Sequence, residues 1–294
     1  MSKRFLPLSA RIGAKAVLRR DEVLDPAFAN ECLDALERYG VLLFPRIGLS
    51  DEEQVAFSQN LGEVVPQGRM RADGTQDVVF KITLDPRENP SAEYLKATID
   101  WHIDGLFEDG PPTKATMLSA RRLSTKGGQT EFCNTYAAYD DLPEAERKQY
   151  ESLRVVHSLD ASNRATNPHP TPEEQASWRE AEARRERAGR IGRKAHPLVW
   201  HHRSGRKSLV LGMSVDHVLG IPEAESRALI EKLTAHATRR QIVYRHEWQV
   251  GDILIWDNCG VMHRAIPYEA DSGRLMHRTV LHGVEPIVGV ERID

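Results

Sequence analysis

The sequence predicts a mainly β protein with flanking helices, and three features carry that expectation. Beyond about residue 77 the apolar residues fall into short runs of β-forming type. Turn signals at Gly127-Gly128, Ser204-Gly205 and Gly251-Asp252 separate several of these runs. Long helical periodicities are few. Many short strands with few helices suit a sandwich or barrel-like β core with helical decoration.

The elements follow in order. Asp25 and Pro26 open a helix whose apolar residues Phe28, Cys32, Leu36 and Tyr39 recur at helical spacing until Gly40 ends it. Val41–Phe44 is a short apolar strand. Ser50 and Glu53 form a capping box for a second helix that stops near Gly62. Strands are then expected at Val78–Leu84, Ala115–Leu118, Leu153–His157, Pro197–Trp200, Leu209–Leu211, Gln241–Tyr244, Ile253–Trp256 and Leu275–Leu281. A helix over Pro222–Arg239 interrupts them, with Leu229, Leu233 and His236 on one side.

Composition narrows the function classes. The 40 Lys and Arg are balanced by 43 Asp and Glu, without the basic excess of a nucleic-acid binder. No apolar run is long enough to span a bilayer, and the basic N-terminus MSKRFLPLSARIGAKAVLRR lacks the apolar stretch of a signal peptide. Cys32, Cys133 and Cys259 lie far apart, which excludes a CxxC zinc site and suits a reducing, cytoplasmic setting. The chain reads as a single catalytic domain, 1–294, carrying a charged insertion at about 165–195. Within it, residues 172–194 interleave acidic residues with arginines, the pattern of a solvated helix or a mobile insertion; a lid over a nearby pocket is the other reading.

The twelve histidines raise the question of a metal. In Thr98-Ile-Asp-Trp-His-Ile-Asp104, an extended backbone places His102 and Asp104 on the same face. His263, after the apolar run of GDILIWDNCGVMHRA, is the best third ligand. Two histidines and one carboxylate make the facial triad of non-heme Fe(II) oxygenases, which leaves metal positions open for a cosubstrate and dioxygen. A His-x-Asp pair alone also describes a surface hydrogen bond, and the same three ligands would serve a zinc hydrolase. Downstream, RLMHRTVL sets Arg274, Met276 and Arg278 on one strand face. Paired arginines just after a metal ligand suggest one or two anionic groups held beside the metal, since the guanidinium fork matches a carboxylate. Trp101, Phe107 and Trp256 are candidate pocket walls, and Lys81 a candidate anion contact.

WHID, GGQTEF at 127–132, and GDILIWDN with His263, Arg274 and Arg278 together resemble the Fe(II)/2-oxoglutarate dioxygenases of the taurine dioxygenase group. Within that group the texture is nearest the 2,4-dichlorophenoxyacetate dioxygenases, through GGQTEFCNTYAAYDDLP, SGRKSL, HVLGIPEAE and HATRRQIVYRHEWQVGD. The likeness spans roughly residues 40–285. It implies a double-stranded β-helix, or jelly roll, with Fe(II) on His102, Asp104 and His263. It implies that Arg274, with the Thr130 hydroxyl, holds the distal carboxylate of 2-oxoglutarate, and that Arg278 meets the acidic group of a small-molecule substrate. The expected reaction is hydroxylation coupled to conversion of 2-oxoglutarate and dioxygen to succinate and carbon dioxide. Asp104 favours that outcome, because related halogenases replace the carboxylate with a small residue. Desaturation or cyclisation on the same iron, and a non-catalytic 2-oxoglutarate-binding relative, are the alternatives. Relatives are often homo-oligomers, and no nucleic-acid or membrane partner is expected. The chain departs from the group in lacking a Gly-Val-Asp-Leu element near its N-terminus and in the longer charged insertion.

Overall fold

A computed structural model describes residues 4–67, 74–89, 92–106, 110–187 and 193–293. Among these, two sheets build the centre. The larger has seven strands in the order Phe5–Pro7, Ala14–Ala16, Val41–Phe44, Ile253–Asp257, Ala115–Arg122, Leu275–Leu281 and Phe80–Ile82. The smaller is Val243–His246, Thr130–Asn134 and Val261–Ala265. Apart from the parallel pairing of Ala14–Ala16 with Val41–Phe44, the pairings in these two sheets are antiparallel. The chain returns to the sheet centre from distant stretches, so sequence neighbours are rarely sheet neighbours.

Register explains which side chains reach the interior. Trp256 lies opposite Thr116 and Val41, and Leu254 opposite Leu118 and Leu43, so these six share one face. That face meets the small sheet: Phe132 and Val261 pack with Leu254, Trp256 and Met276 in one buried cluster. The opposite face carries Leu42, Phe44, Met117, Ile253 and Ile255, which pack under the helices Pro26–Tyr39 and Asp51–Leu61 through Phe28, Leu36 and Phe57. Burying a Phe or Leu side chain stabilises by about 1.5–3 kcal/mol, so both layers are needed to hold a sheet buried on two sides. The outer face of the small sheet, with Cys133 and Met262, packs against the rest of the chain through Leu198, Trp200 and Leu209.

Local chemistry accounts for both early helices. The Asp25 carboxylate accepts from the Ala27 N–H, and Pro26 occupies the first turn; Ser50 and Glu53 form the expected reciprocal cap. Several boundaries differ from the sequence expectation. The strand expected at Val78–Leu84 shrinks to Phe80–Ile82, and the one at Gln241–Tyr244 moves to Val243–His246 behind a 3-10 turn. The run Pro197–Trp200 splits between Arg193–Pro197 and Val199–His201, and Lys207–Leu209 pairs with the latter. The strands Thr130–Asn134 and Val261–Ala265 were not expected as strands. The charged stretch forms an exposed helix, Pro172–Arg187, lying on the helix Leu159–Thr166. That helix in turn packs on the 3-10 segment Ala92–Ile99 just ahead of His102. Residues 188–192 of the insertion lie outside the described residues.

Candidate metal and anion site

The extended stretch around His102 is shorter than the sequence suggested, because 3-10 structure runs to Ile99. His102 is nonetheless extended, and it forms an isolated antiparallel bridge with His263. The two residues exchange both main-chain hydrogen bonds, His102 N–H to His263 O at 3.0 Å and the reverse at 2.9 Å. Their rings therefore stand side by side, with centroids 4.2 Å apart. Asp104 joins them from the turn that follows: its Oδ1 lies 3.8 Å from His102 Nε2 and its Oδ2 3.8 Å from His263 Nε2. One donor atom from each of the three residues falls within 4.8 Å of the others. Ligand atoms on one ion, at bonds of about 2.1 Å, sit up to about 4.2 Å apart, so little side-chain movement closes the set on a cation.

Protonation suits a cation as well. His102 Nδ1 donates to the Asp100 carbonyl at 2.8 Å, which leaves the Nε2 lone pair free. Burial, aided by His102 and Arg278, lowers the His263 pKa to about 3, so this imidazole is neutral. Burial raises the Asp104 carboxyl. The Arg278 cation, the neighbouring His263 and His102 rings and a 2.8 Å hydrogen bond from Thr116 outweigh it and hold the group at about 2. A carboxylate, the neutral His263 imidazole and the His102 ring, whose Nδ1 is committed to a carbonyl, converge as the donor set of a bound divalent metal.

Arg274 leads into the strand Leu275–Leu281 and is 3% exposed. Its guanidinium donates to the Gly128 carbonyl at 3.1 Å and stacks on the Tyr268 ring at 4.6 Å. Among the described residues it has no carboxylate partner. Gly128, at φ 79°, permits this approach, since a Cβ there would stand 2.9 Å from Arg274 Nε. A buried guanidinium with only neutral partners is costly unless an anion completes it. It lines a cavity of about 200 Å³ together with Gly128, Gln129 and Trp248. Thr130 projects to the same face of the small sheet as His263 and Phe132. Trp248 Nε1 donates to its hydroxyl at 3.0 Å. An indole N–H only donates, so the Thr130 proton remains available to another acceptor.

Arg278, half-buried on the inner face of the same strand, donates to Gln67 Oε1 at 2.8 Å and covers the Phe80 ring at 5.1 Å. It too has no carboxylate ion-pair partner among the described residues. Two sequence candidates lie elsewhere. Lys81 is exposed and sits directly opposite His277, on the helix-facing side, where the His277 ring meets Asp51. Trp101 precedes His102 on extended backbone and so points the other way, under the Arg264 guanidinium at 4.8 Å. Trp256 borders the ligands, with its ring 4.6 Å from His263, and Phe132 stacks on the same imidazole at 6.3 Å. Phe107 lies outside the described residues. Thr116, Trp248 and Gly212 went unnoticed in the sequence; only Trp248, within HEWQVGD, lay in a motif already marked.

The fold and site together define a metal-dependent oxygenase built on a jelly roll. The chain belongs to the taurine catabolism dioxygenase TauD, TfdA family, whose model matches residues 4–280. It is 32% identical over 284 residues to the alpha-ketoglutarate-dependent 2,4-dichlorophenoxyacetate dioxygenase of Burkholderia sp. (strain RASC), covering 88% of this chain and 87% of that one. It is 31% identical to the alpha-ketoglutarate-dependent sulfate ester dioxygenase of Pseudomonas putida, covering 97% and 91%. A solved structure of AAD-2 in complex with Mn(II) and N-oxalylglycine superposes with a TM-score of 0.76 at 28% identity, over 97% of this chain and 98% of that one. The protein is therefore an oxidoreductase, a dioxygenase that uses Fe(II), 2-oxoglutarate and dioxygen. No helix among the described residues is long and apolar enough to cross a membrane.

Proposed function

We propose that this dioxygenase hydroxylates a small organic acid of the aryloxyalkanoate type, with sulfate esters and sulfonates as the neighbouring class. The observation that carries the proposal is Arg278: a cation close enough to influence both Asp104 and His263, yet among the described residues paired only with an amide and an aromatic ring. In this reading His102, Asp104 and His263 hold Fe(II), which supplies the activation of dioxygen. Arg274 and the Thr130 hydroxyl hold the far carboxylate of 2-oxoglutarate. Arg278 takes the acidic group of the primary substrate, and the Phe80 ring lies where an apolar substrate body would pass. The whole chain, 1–294, acts as one catalytic unit, with the charged insertion at 165–195 at its border.

The balanced reaction takes substrate, 2-oxoglutarate and dioxygen to hydroxylated substrate, succinate and carbon dioxide. Where the hydroxylated carbon also carries an ether oxygen, the product is a hemiacetal that releases a phenol and leaves a carbonyl acid. The protein's own part is to fix both anions and exclude water. Succinate release should be followed across phenoxyacetates, phenoxypropionates, alkyl sulfates, sulfonates and amino-acid-derived acids, with product mass recorded. Turnover of the first two series with release of a phenol is the expected result. A product lighter by two hydrogens would show desaturation instead, and turnover confined to neutral compounds would remove Arg278 from its role.

A further inference from the structure

We infer that Trp256, Asn258 and Thr116 form a one-way chain of hydrogen bonds that sets how Asp104 presents its carboxylate to the metal. The inference rests on the reading of Asp104 as a ligand. It starts from a group with no choice: the Trp256 indole N–H can donate but cannot accept. Trp256 Nε1 lies 3.0 Å from Asn258 Oδ1, which fixes which end of that amide is oxygen. The amide nitrogen is left to donate, and it reaches the hydroxyls of Thr116 and Thr113, each at 3.0 Å. Thr116 accepts from Asn258, so its single proton goes to Asp104 Oδ2, 2.8 Å away. Asn258 and Thr116 are fully buried and Trp256 is 2% exposed, so water cannot replace a link. Turning any one group round would set two donors or two acceptors against each other.

The fold makes the chain compact. Thr116 lies directly opposite Trp256 in the large sheet, and Asn258 stands two residues further along that strand's exit. The consequence falls on Asp104. With Oδ2 occupied by a hydroxyl proton, the carboxylate offers its other oxygen as the stronger donor and is disposed to bind a metal through one oxygen. A carboxylate that chelates through both oxygens takes up an additional coordination position. The chemistry needs those positions open for the cosubstrate and dioxygen. Trp256, Asn258 and Thr116 are thus positioning residues that act through Asp104.

The test uses the full chain, titrated anaerobically with Co(II) and read by the visible spectrum and binding constant before 2-oxoglutarate is added. Thr116→Val removes the proton donor, Thr116→Ser restores it, and Asn258→Asp keeps the shape while drawing the Thr116 proton away from Asp104. Melting of the metal-free proteins monitors folding. Thr116→Val and Asn258→Asp should weaken Co(II) binding by about 10- to 100-fold and change its spectrum. Thr116→Ser should stay within about threefold of the parent. If the parent binds one Co(II) and Thr116→Val, which adds no charge, matches it in affinity and spectrum, the chain is overturned while the metal site stands. A well-folded Thr116→Ser that fails to restore binding overturns it equally. If the parent itself takes up no Co(II), the assignment of Asp104 as a ligand falls, and the chain with it.

Discussion

His102 and His263 are main-chain partners as well as neighbours in the site: each N–H donates to the other's carbonyl, at 3.0 and 2.9 Å. A pair that exchanges both bonds has its Cα atoms and side chains held in register by the backbone. The rings do not depend on a metal to bring them together.

That backbone is held from behind by Gly212, and the first prediction follows from it. A Cβ on Gly212 would stand 3.2 Å from both the His102 Cα and the Trp101 carbonyl oxygen, and the residue sits at φ 125°. Met213 N–H also donates to that carbonyl, at 2.8 Å. Gly212→Ala must therefore push on the His102 backbone or distort its own, at about 1–3 kcal/mol. Metal affinity measured by Co(II) titration should drop by about tenfold or more on that scale. Wild-type affinity in a stable Gly212→Ala protein would show that the segment behind His102 yields freely.

Arg274→Leu should weaken 2-oxoglutarate binding by two to four powers of ten, because each charge-assisted hydrogen bond is worth about 1.5–3 kcal/mol and a guanidinium fork makes two. Arg274→Lys keeps the charge, loses the fork and should fall between. Calorimetric titration of the metal-loaded proteins reads the affinity directly. Removal of a buried cation that has no carboxylate partner among the described residues also lowers a folding cost, so the Leu variant should melt no lower than the parent. An unchanged affinity in Arg274→Leu would move the cosubstrate elsewhere.

The site was legible where chemistry is carried by neighbours in sequence. His102 and Asp104, two apart, and Arg274 and Arg278, four apart, announce themselves by spacing, and the structure brings the carboxylate of Asp104 to 3.8 Å from His102 Nε2. Trp101 shows the same rule from the other side: a residue next to an extended ligand faces away from it. The strands carrying Thr130 and His263 escaped because both their faces are covered. Cys133 and Met262 on the outer face are as buried as Phe132 and Val261 on the inner one, so the alternation that marks a half-exposed strand is absent. Lys81 was misplaced because only the pairing with His277 decides its face, and register between distant strands is not written in either one. Thr116 had no local signal, since it acquires its role from Trp256 across the sheet.

Trp248→Phe isolates one hydrogen bond. The parent indole donates to Thr130 Oγ1 at 3.0 Å and packs edge-on against His246, which Asp252 and Tyr244 hold in turn at 3.0 and 2.8 Å. Phenylalanine keeps most of the packing and releases the Thr130 hydroxyl to choose another orientation. A neutral hydrogen bond contributes about 0.5–1.5 kcal/mol, so the KM for 2-oxoglutarate should rise about 2- to 12-fold. kcat should hold, because the bond acts equally before and during reaction. A fall in kcat with KM unchanged would contradict the cosubstrate-orienting role and place Trp248 in the chemical step.

Acid should destabilise the fold in a window set by buried histidines away from the metal ligands. His157 and His196 pack edge to face with ring centroids 5.0 Å apart, and His157 Nδ1 bonds Ser214 Oγ at 2.7 Å. His202 lies 4.4 Å from the Trp200 ring and bonds Ser208 at 2.8 Å. Burial lowers all three pKa values, His196 and His202 to about 4 and His157 well below its ordinary 6.5. The unfolded chain binds protons at these residues below about pH 6.5 while the folded chain does not, so stability rises with pH there. It is complete above about 6.5 and is lost as pH falls toward 4. His196 and His202 each contribute about 1.5 kcal/mol of loss between pH 6.5 and 5. Asp104, held near 2, adds its own loss only below the ordinary carboxyl range, so the two windows separate. Urea unfolding of the metal-free protein between pH 7 and 5 should give a slope rising to about three to four protons taken up on unfolding near pH 5. His263 and His277, also lowered by burial, add to these three, and His202→Asn should reduce the slope by about one. A flat profile across that range would mean that the three imidazoles charge without leaving the fold.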